Sequence, residues 1–335
     1  MLTTVRRGAR KAIDGFSRES EIGWRWGRNA SPTLRYRREG GDAQLTPAGR
    51  DAVARLRRDG VAVTSMHDLL GSDELMDAVM RRVEGLIEAN SEELASRARR
   101  LGERDGSFDK PYLLEMLGPM PTVRSDDPLA RLVAHPRVRG VAEAYSGMRL
   151  RVYDYNAWFN IASDGEATLS QKWHRDLPED HDIVKVFVYV RDVPEGAGPL
   201  SYVVGSHTKQ GRRVNLPATW DGVGYRISDE DVESAYGADS IASVPGKAGT
   251  VVFADTRGLH RGGWARTHDR VVVQGLYASR SCNRPGSLVA HPDEQRDALS
   301  RDYAVLSPPI AELRANALGV DLTDLSAVDL DHRTT

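Results

Sequence analysis

Residues 173–182 read W-H-R-D-L-P-E-D-H-D and set His174 two positions from Asp176, with further carboxylates and His181 close behind. Three chemistries fit such a run. Its letters match the H-R-D-L loop of protein kinases, it offers two ligands for a metal, and it would also serve as a solvated polar loop. A kinase loop needs Asn five residues after its Asp to hold magnesium, and that position is His181. No Gly-rich phosphate loop, V-A-I-K strand or D-F-G segment accompanies it. The kinase reading fails on both counts.

On an extended segment, residues i and i+2 point to the same face. One imidazole and one carboxylate therefore reach a single ion from His174 and Asp176. Cys282 is the one cysteine, which excludes an intrachain disulfide and Cys-rich zinc or iron–sulfur sites. A third ligand has to come from the remaining histidines: 67, 135, 181, 207, 260, 268, 291 and 332. His260 stands out by context. It follows V-V-F-A-D-T and sits in G-L-H-R-G-G-W, among glycines that permit close backbone approach. Arg270 follows ten residues later and opens the apolar run V-V-V-Q-G-L-Y. Two His and one carboxylate with open positions match the facial arrangement of non-haem Fe(II) sites. A guanidinium inside such a core suits a carboxylate bound in two-pronged fashion.

These residues need elements to carry them. Thr46-Pro47 starts a helix, since Thr caps and Pro suits the first turn. A strand follows at Val61–Ser65. Ser72 then opens a long amphipathic helix, with Leu75, Met76, Val79, Met80, Val83, Leu86 and Ile87 at spacings of three and four. Asp127-Pro128 and His135-Pro136 punctuate two more helices. From Met148 the texture turns to strands: Arg151–Ile161, Ile183–Arg191, Leu200–Val204, Thr250–Ala254 and Arg270–Ala278, separated by Gly- and Pro-rich turns. After Asn283 short helices are expected near 293–304 and 308–317. The expected plan is a basic extension over 1–45, helices over 46–147, a β-core over 148–285, and helices over 286–335 packed on the same body.

The pattern resembles the phytanoyl-CoA dioxygenase family of Fe(II)/2-oxoglutarate-dependent oxygenases. The matching residues are W-H-R-D at 173–176, G-P-L-S-Y-V-V-G-S-H at 198–207, G-T-V-V-F at 249–253, His260 and Arg270. The resemblance spans roughly residues 50–285. It implies a mainly β fold, a double-stranded β-helix (jelly roll, cupin-like) flanked by N- and C-terminal helices. It implies Fe(II) on His174, Asp176 and His260, the distal carboxylate of 2-oxoglutarate on Arg270, and O2 as co-substrate. Asn160 ends a strand where related hydroxylases place a further 2-oxoglutarate contact. The chain departs from the family at Arg175, where Gln is frequent, and at Gly262, where a small hydroxyl is common.

The expected activity is hydroxylation of a small metabolite or natural-product intermediate, free or linked to a carrier or CoA, with release of succinate and CO2. Desaturation, epoxidation and ring closure share the same chemistry. Halogenation is disfavoured, because Asp176 fills the position a halide would need. A cupin-type enzyme working without 2-oxoglutarate, or a binding protein on the same scaffold, would lack a use for Arg270 or for the full triad. A pocket entrance is expected from the N-terminal helices and the 207–248 interval, a long connection that reads as polar and irregular. His207 reads as structural, Cys282 as a packed residue, and His181 and Lys185 as facing either substrate or solvent.

The totals fit an ordinary globular enzyme: 335 residues, 40% hydrophobic, 28% charged. A net charge of −2 gives no field for nucleic acid. Forty of the 46 basic residues are Arg, which reads as codon bias before phosphate binding. Residues 1–40 hold ten Arg/Lys against four Asp/Glu and are expected to pack their aromatics on the main body. No run approaches a membrane span and no apolar stretch follows the basic N-terminus, so a cytoplasmic setting is expected.

Overall fold

Val, Phe and Tyr dominate V-K-V-F-V-Y, T-V-V-F-A-D and R-V-V-V-Q-G-L-Y-A, and these runs form the centre of a six-stranded sheet. The computed structural model describes residues 20–101, 110–176, 180–283 and 286–322. Its strands are β1 (Val61–Ser65), β2 (Leu113–Glu115), β3 (Thr122–Val123), β4 (Arg151–Asn160), β5 (Val184–Tyr189), β6 (Leu200–Val203), β7 (Thr219–Trp220), β8 (Tyr225–Arg226), β9 (Ile241–Val244), β10 (Thr250–Asp255), β11 (His260–Gly262), β12 (Arg270–Ala278) and β13 (Val289–Ala290). The large sheet runs β1-β10-β5-β12-β4-β2, antiparallel throughout. A smaller antiparallel sheet, β11-β6-β9, faces it. This is the jelly-roll core with helices outside it.

Side chains alternate across the large sheet, and the alternation decides which residues meet the site. Val184, Val186 and Val188 of β5, Val251 and Phe253 of β10, and Val271, Val273 and Tyr277 of β12 join the core beneath the helices. Their neighbours Phe187, Tyr189, Val252, Ala254 and Val272 point the other way, into the space between the sheets. Lys185, Asn160 and Arg270 belong to this inner face. Every residue of β12 is buried, so the strand reads as a continuous apolar run rather than an alternating one.

The helices supply the outer layer. Thr46 Oγ1 accepts the Gly49 N–H at 3.1 Å and caps the helix Pro47–Asp59. Asp127 caps Pro128–Ala134 by accepting from Leu129 and Ala130, and His135 accepts the Arg137 N–H at the start of Pro136–Ser146. The amphipathic helix spans Glu74–Ala89 and buries Met76, Val79, Val83 and Leu86. Trp24 and Tyr36 of the N-terminal part are buried in the main core, while Trp26 stays partly exposed under the Arg37 guanidinium. The basic residues before position 20 lie outside the described residues.

Two expectations need correction. The helix expected over 293–304 is confined to Arg296–Leu299. The chain beyond it is drawn straight by pairing with β4: Val152 donates to Asp302 O and Ala304 donates to Val152 O, both at 2.8 Å. Tertiary pairing outbids local helix preference there. The 207–248 interval, expected to be irregular, holds the β7–β8 hairpin, the helix Asp229–Tyr236 and strand β9.

Gly198 ties the two halves of the small sheet. Its φ is +63°, and a Cβ there would strike the Gly263 carbonyl and the Trp264 backbone. Gly198→Ala is expected to cost at least ~1–2 kcal/mol for the left-handed backbone alone, with the clash added. A lowered urea midpoint at unchanged slope is the measurement; an unchanged midpoint would show that this approach is not tight.

Candidate metal and co-substrate site

His174 lies opposite His260 in an antiparallel bridge, and each backbone N–H donates to the other's carbonyl at 3.0 Å. Directly paired residues project to the same face, so the rings lie close, with centroids 4.4 Å apart. Each ring is oriented from behind. His174 Nδ1 lies 2.8 Å from Lys172 O, and His260 Nδ1 lies 3.0 Å from Gly258 O. A carbonyl only accepts, so both Nδ1 atoms carry the proton and both Nε2 atoms present a lone pair. Burial holds both imidazoles below their ordinary value. The neighbouring His260 adds to the effect on His174, and Asp176 opposes it in both rings. The shift favours the neutral ring, the form in which an imidazole binds a metal.

Asp176 is the next same-face residue. Its backbone N–H donates to Thr256 O at 2.9 Å, and its Oδ2 lies 2.7 Å from Lys185 Nζ. Burial would raise this carboxyl, but the positive charge beside it, Lys185 first, outweighs burial and holds it well below the usual carboxylate range. One donor atom from each of His174, Asp176 and His260 falls within 4.8 Å of the others.

The three residues open onto a cavity of about 120 Å³ between the sheets. Arg270 enters it from the start of β12 and is 7% exposed. Among the described residues its side chain makes one hydrogen bond, a long one from Nη1 to Gly263 O at 3.4 Å, and its buried Nε has no partner. No carboxylate pairs with it among the described residues. Burial pushes the guanidinium down, with Tyr189 and Tyr112 opposing. Asn160 is the cross-strand partner of Arg270 and also lines the cavity; its Nδ2 reaches Arg270 O only at 3.5 Å. Gly262 explains its own departure from the family pattern, because a Cβ there would sit 3.1 Å from Arg270 Nη2. Gly262→Val is expected to crowd the guanidinium and weaken carboxylate binding several-fold; titration with 2-oxoglutarate that matches the parent would show that the guanidinium simply steps aside.

The cavity has further walls that the sequence did not reveal. Trp158, Phe187, Tyr189 and Val272 are inner-face residues, and strand parity alone would have found them. Tyr112 and Ser170, hydrogen-bonded to each other at 2.8 Å, come from just before β2 and from the short 3-10 helix Leu169–Gln171, neither of which the sequence reading placed. The expected entrance is corrected as well. Lys110, Tyr112 and Leu113 line the cavity from just before and within β2, whereas the described residues of 207–248 and of the N-terminal helices do not. The helices are spent covering the outer face of the sheet.

Other singled-out residues lie elsewhere. Arg175, one position out of phase with the triad, turns away and donates to Ser206 O, Arg257 O, Gly211 O and Tyr236 Oη. It ties the 207–248 segment to the triad strand. His207 Nε2 donates to Arg57 O, 3.2 Å away, and the ring packs beneath Gly60. His181 pairs with Asp182 at 2.9 Å and stacks on Trp24, away from the cavity, while Lys185 faces into it. Cys282 packs against the cluster of Tyr153, Ile183 and Leu276.

Asp180, just past the triad strand, offers a pH test of this region. Burial pushes its carboxyl up to about 6, against N–H groups of Ser279 and His181 that lower it. A raised acid stabilises the fold below its ordinary value of 3.8 and loses that contribution as pH climbs through about 6. Stability relative to Asp180→Asn should therefore fall by on the order of 2 kcal/mol between pH 4 and 7. Denaturant melts of both proteins across that range measure it; parallel curves would place Asp180 in contact with water.

The family model for phytanoyl-CoA dioxygenase (PhyH) matches residues 56–272. L-Proline trans-4-hydroxylase of Streptomyces griseoviridis is 26% identical over 209 residues, covering 56% of this chain and 74% of that protein. Among solved structures, the epimerase SnoN in complex with Fe3+, alpha ketoglutarate and nogalamycin RO is 22% identical, covering 69% of this chain and 84% of that one at a TM-score of 0.46. EctD from S. alaskensis with 2-oxoglutarate and 5-hydroxyectoine is 19% identical, covering 69% and 76% at 0.44. The family match spans well over half of the chain and contains every residue of the triad and Arg270: the protein belongs to the phytanoyl-CoA dioxygenase family of Fe(II)/2-oxoglutarate-dependent dioxygenases.

Proposed function

We propose that His174, Asp176 and His260 bind one Fe(II), that Arg270 with Asn160 holds the distal carboxylate of 2-oxoglutarate, and that the enzyme hydroxylates a small molecule. The observation that carries this reading is the orphaned guanidinium of Arg270 in the same cavity as the triad. A buried charge without a partner is costly, and a dicarboxylate anchored at the metal supplies that partner. The donor set fits the ion as well: two neutral imidazoles and one carboxylate leave three octahedral positions open. Bound Fe(II) and 2-oxoglutarate would activate O2 and transfer one oxygen atom to a C–H bond, with succinate and CO2 released.

The chain's own residues supply geometry and dryness. The backbone bridge fixes the two imidazoles, and Lys172 O and Gly258 O fix their tautomer. Trp158, Phe187, Leu200 and Val272 keep the space between metal and Arg270 apolar. A cavity of this size suits a small metabolite or natural-product intermediate better than an acyl chain on a carrier or CoA. Amino acids head the candidates, because one relative is a proline hydroxylase. The reaction is assigned as hydroxylation rather than desaturation, epoxidation or ring closure on that same relative. A use without 2-oxoglutarate leaves Arg270 unexplained. No helix among the described residues is long and apolar enough to cross a membrane, and a cytoplasmic setting completes the reading.

Incubation of a metabolite panel with enzyme, Fe(II), 2-oxoglutarate and O2, followed by mass spectrometry, should show one product heavier by one oxygen and a matching amount of succinate. Oxidation that proceeds without consuming 2-oxoglutarate would overturn the co-substrate; a product lighter by two hydrogens would replace hydroxylation by desaturation.

A further inference from the structure

We propose that the helix Asp229–Tyr236 is a splint for the metal centre: it grips the outward side chains of the strand that carries His174 and Asp176, and so sets where those ligands stand relative to His260. The inference rests on the metal reading above and adds the residues that position its ligands. His174 and His260 meet in a single bridge outside any long strand. The two hydrogen bonds of that bridge do not by themselves fix the tilt of one segment on the other, whereas a metal centre needs its ligands held to within about 0.5 Å. Side chains alternate along an extended segment, so Trp173 and Arg175 leave the triad strand on the face opposite His174 and Asp176. Both run to the same helix.

The grip is double. Trp173 is fully buried, and a buried indole N–H needs an acceptor; its Nε1 donates to Asp229 Oδ1 at 2.6 Å. Arg261, which follows His260, stacks its guanidinium 4.4 Å from the centre of the Trp173 ring and donates to the same oxygen at 2.5 Å. Asp229 therefore ties the residue before one imidazole to the residue after the other. At the far end of the helix, Tyr236 Oη accepts from Arg175 Nη2 at 3.0 Å and donates to Gly211 O at 2.7 Å. Arg175 Nη1 meanwhile donates to Ser206 O and Arg257 O, beside the Thr256 carbonyl that holds the Asp176 N–H. Between the two ends, Val232 joins the buried cluster of Trp173, Val203 and Leu259. The lengths agree. Trp173 and Arg175 stand about 7 Å apart along the strand, and the end residues of the helix about 11 Å apart, a difference that long Trp and Arg side chains span. Asp229 is 62% exposed, so its ion pair with Arg261 adds little stability; what the contact fixes is direction. A Gln at position 175 would have too few N–H groups for the four acceptors that Arg175 holds.

Mn(II) titration of the metal-free enzyme, followed by electron paramagnetic resonance, reads the centre without turnover, and the visible bands of the Co(II)-loaded enzyme report its ligand geometry. Asp229→Ala and Arg175→Gln are each expected to weaken Mn(II) binding about tenfold, the lower end of what outer partners of metal ligands cost, and to shift the Co(II) bands. Asp229→Asn keeps an acceptor for the Trp173 N–H and should stand nearer the parent than Asp229→Ala. Tyr236→Phe removes one hydroxyl and should give a smaller loss of the same kind. Val273→Ala, a truncation in the core on the helical side of β12, is the control: it should lower the melting temperature and leave both metal readouts at the parent values. The inference is overturned if Asp229→Ala and Arg175→Gln bind Mn(II) as the parent does, if Asp229→Asn fares no better than Asp229→Ala, or if Val273→Ala weakens the metal as much. Should Asp229→Ala or Arg175→Gln fail to fold, Tyr236→Phe carries the test, and parent-like affinity and bands there overturn the inference. Failure of the parent enzyme to bind Mn(II), or binding that survives His260→Ala unchanged, sinks the metal reading beneath it instead.

Discussion

Asp176→Ala is expected to lose hydroxylation even with iron in excess. One of the three proposed protein donors disappears, and so does the one carboxylate that lines the cavity among the described residues. Metal affinity should fall further than the ~10–100-fold that outer-shell changes usually cost. The substitution also strands Lys185, whose ammonium sits 2.7 Å from the carboxylate, so some loss of stability should accompany it. Asp176→Asn separates the two effects: it keeps the shape and a weak donor oxygen while removing the charge that attracts the ion. Asp176→Glu should do little better than Ala, because the longer arm displaces the carboxylate from a strand held by the Thr256 carbonyl. Manganese(II) titration followed by electron paramagnetic resonance reads affinity without turnover. Near-parent binding and turnover in Asp176→Ala would mean that the ion has other ligands.

Arg270→Ala should produce the second large effect, and of a different kind. Removing one side of a buried ion pair costs ~3–5 kcal/mol, so 2-oxoglutarate affinity should fall from a hundred- to several-thousand-fold. Fe(II) binding should be largely kept, since Arg270 belongs to a different strand from the triad. Arg270→Lys restores charge without the two-pronged fork and should fall between. Anaerobic titration of the Fe(II) enzyme, followed by its metal-to-ligand charge-transfer absorbance, measures each. Thermal stability gives a second readout with the opposite sign. Without 2-oxoglutarate the guanidinium is an unpaired buried charge, so Arg270→Ala should melt no lower than the parent. Added 2-oxoglutarate should raise the melting temperature of the parent and leave that of the variant unmoved. If Arg270→Ala titrates like the parent, the anchor lies elsewhere and the main support for 2-oxoglutarate beyond the triad is gone.

The sequence carried the triad further than it carried the cavity. His174 and Asp176 were readable because a two-residue period fixes a shared face, and His260 because glycines surround it at a strand end. The backbone bridge that sets His174 against His260 was not readable: it is a single bridge outside any long strand, and period arguments need several residues. Long strands such as β12 and β4 were legible to within a residue, since β-branched runs and turn residues agree. Several shorter elements were not. β2, β9 and β11 span three or four residues, too few to show alternation, yet β2 brings Tyr112 and Leu113 into the cavity and β11 carries His260. The helix expected to continue past Leu299 failed because pairing with β4 lies 150 residues away in sequence, by the Val152↔Tyr303 bridge, where no local propensity reports it. Arg175 and Gly262 looked like departures from a family pattern. One anchors the 207–248 segment, and the other makes room for Arg270.

The alternation of side chains across the large sheet has a consequence for how such a protein can change. On β12, Val271 and Val273 look toward the helices, while Arg270 and Val272 look toward the cavity. A single strand therefore exposes two nearly independent sets of positions to mutation. Substitutions on the helical side act on melting temperature through lost packing, without touching the reaction. Substitutions on the cavity side reshape the space for substrate while the helices keep the sheet in place. New selectivity can then arise by altering every second residue of β4, β5 and β12, with folding carried by the residues between them.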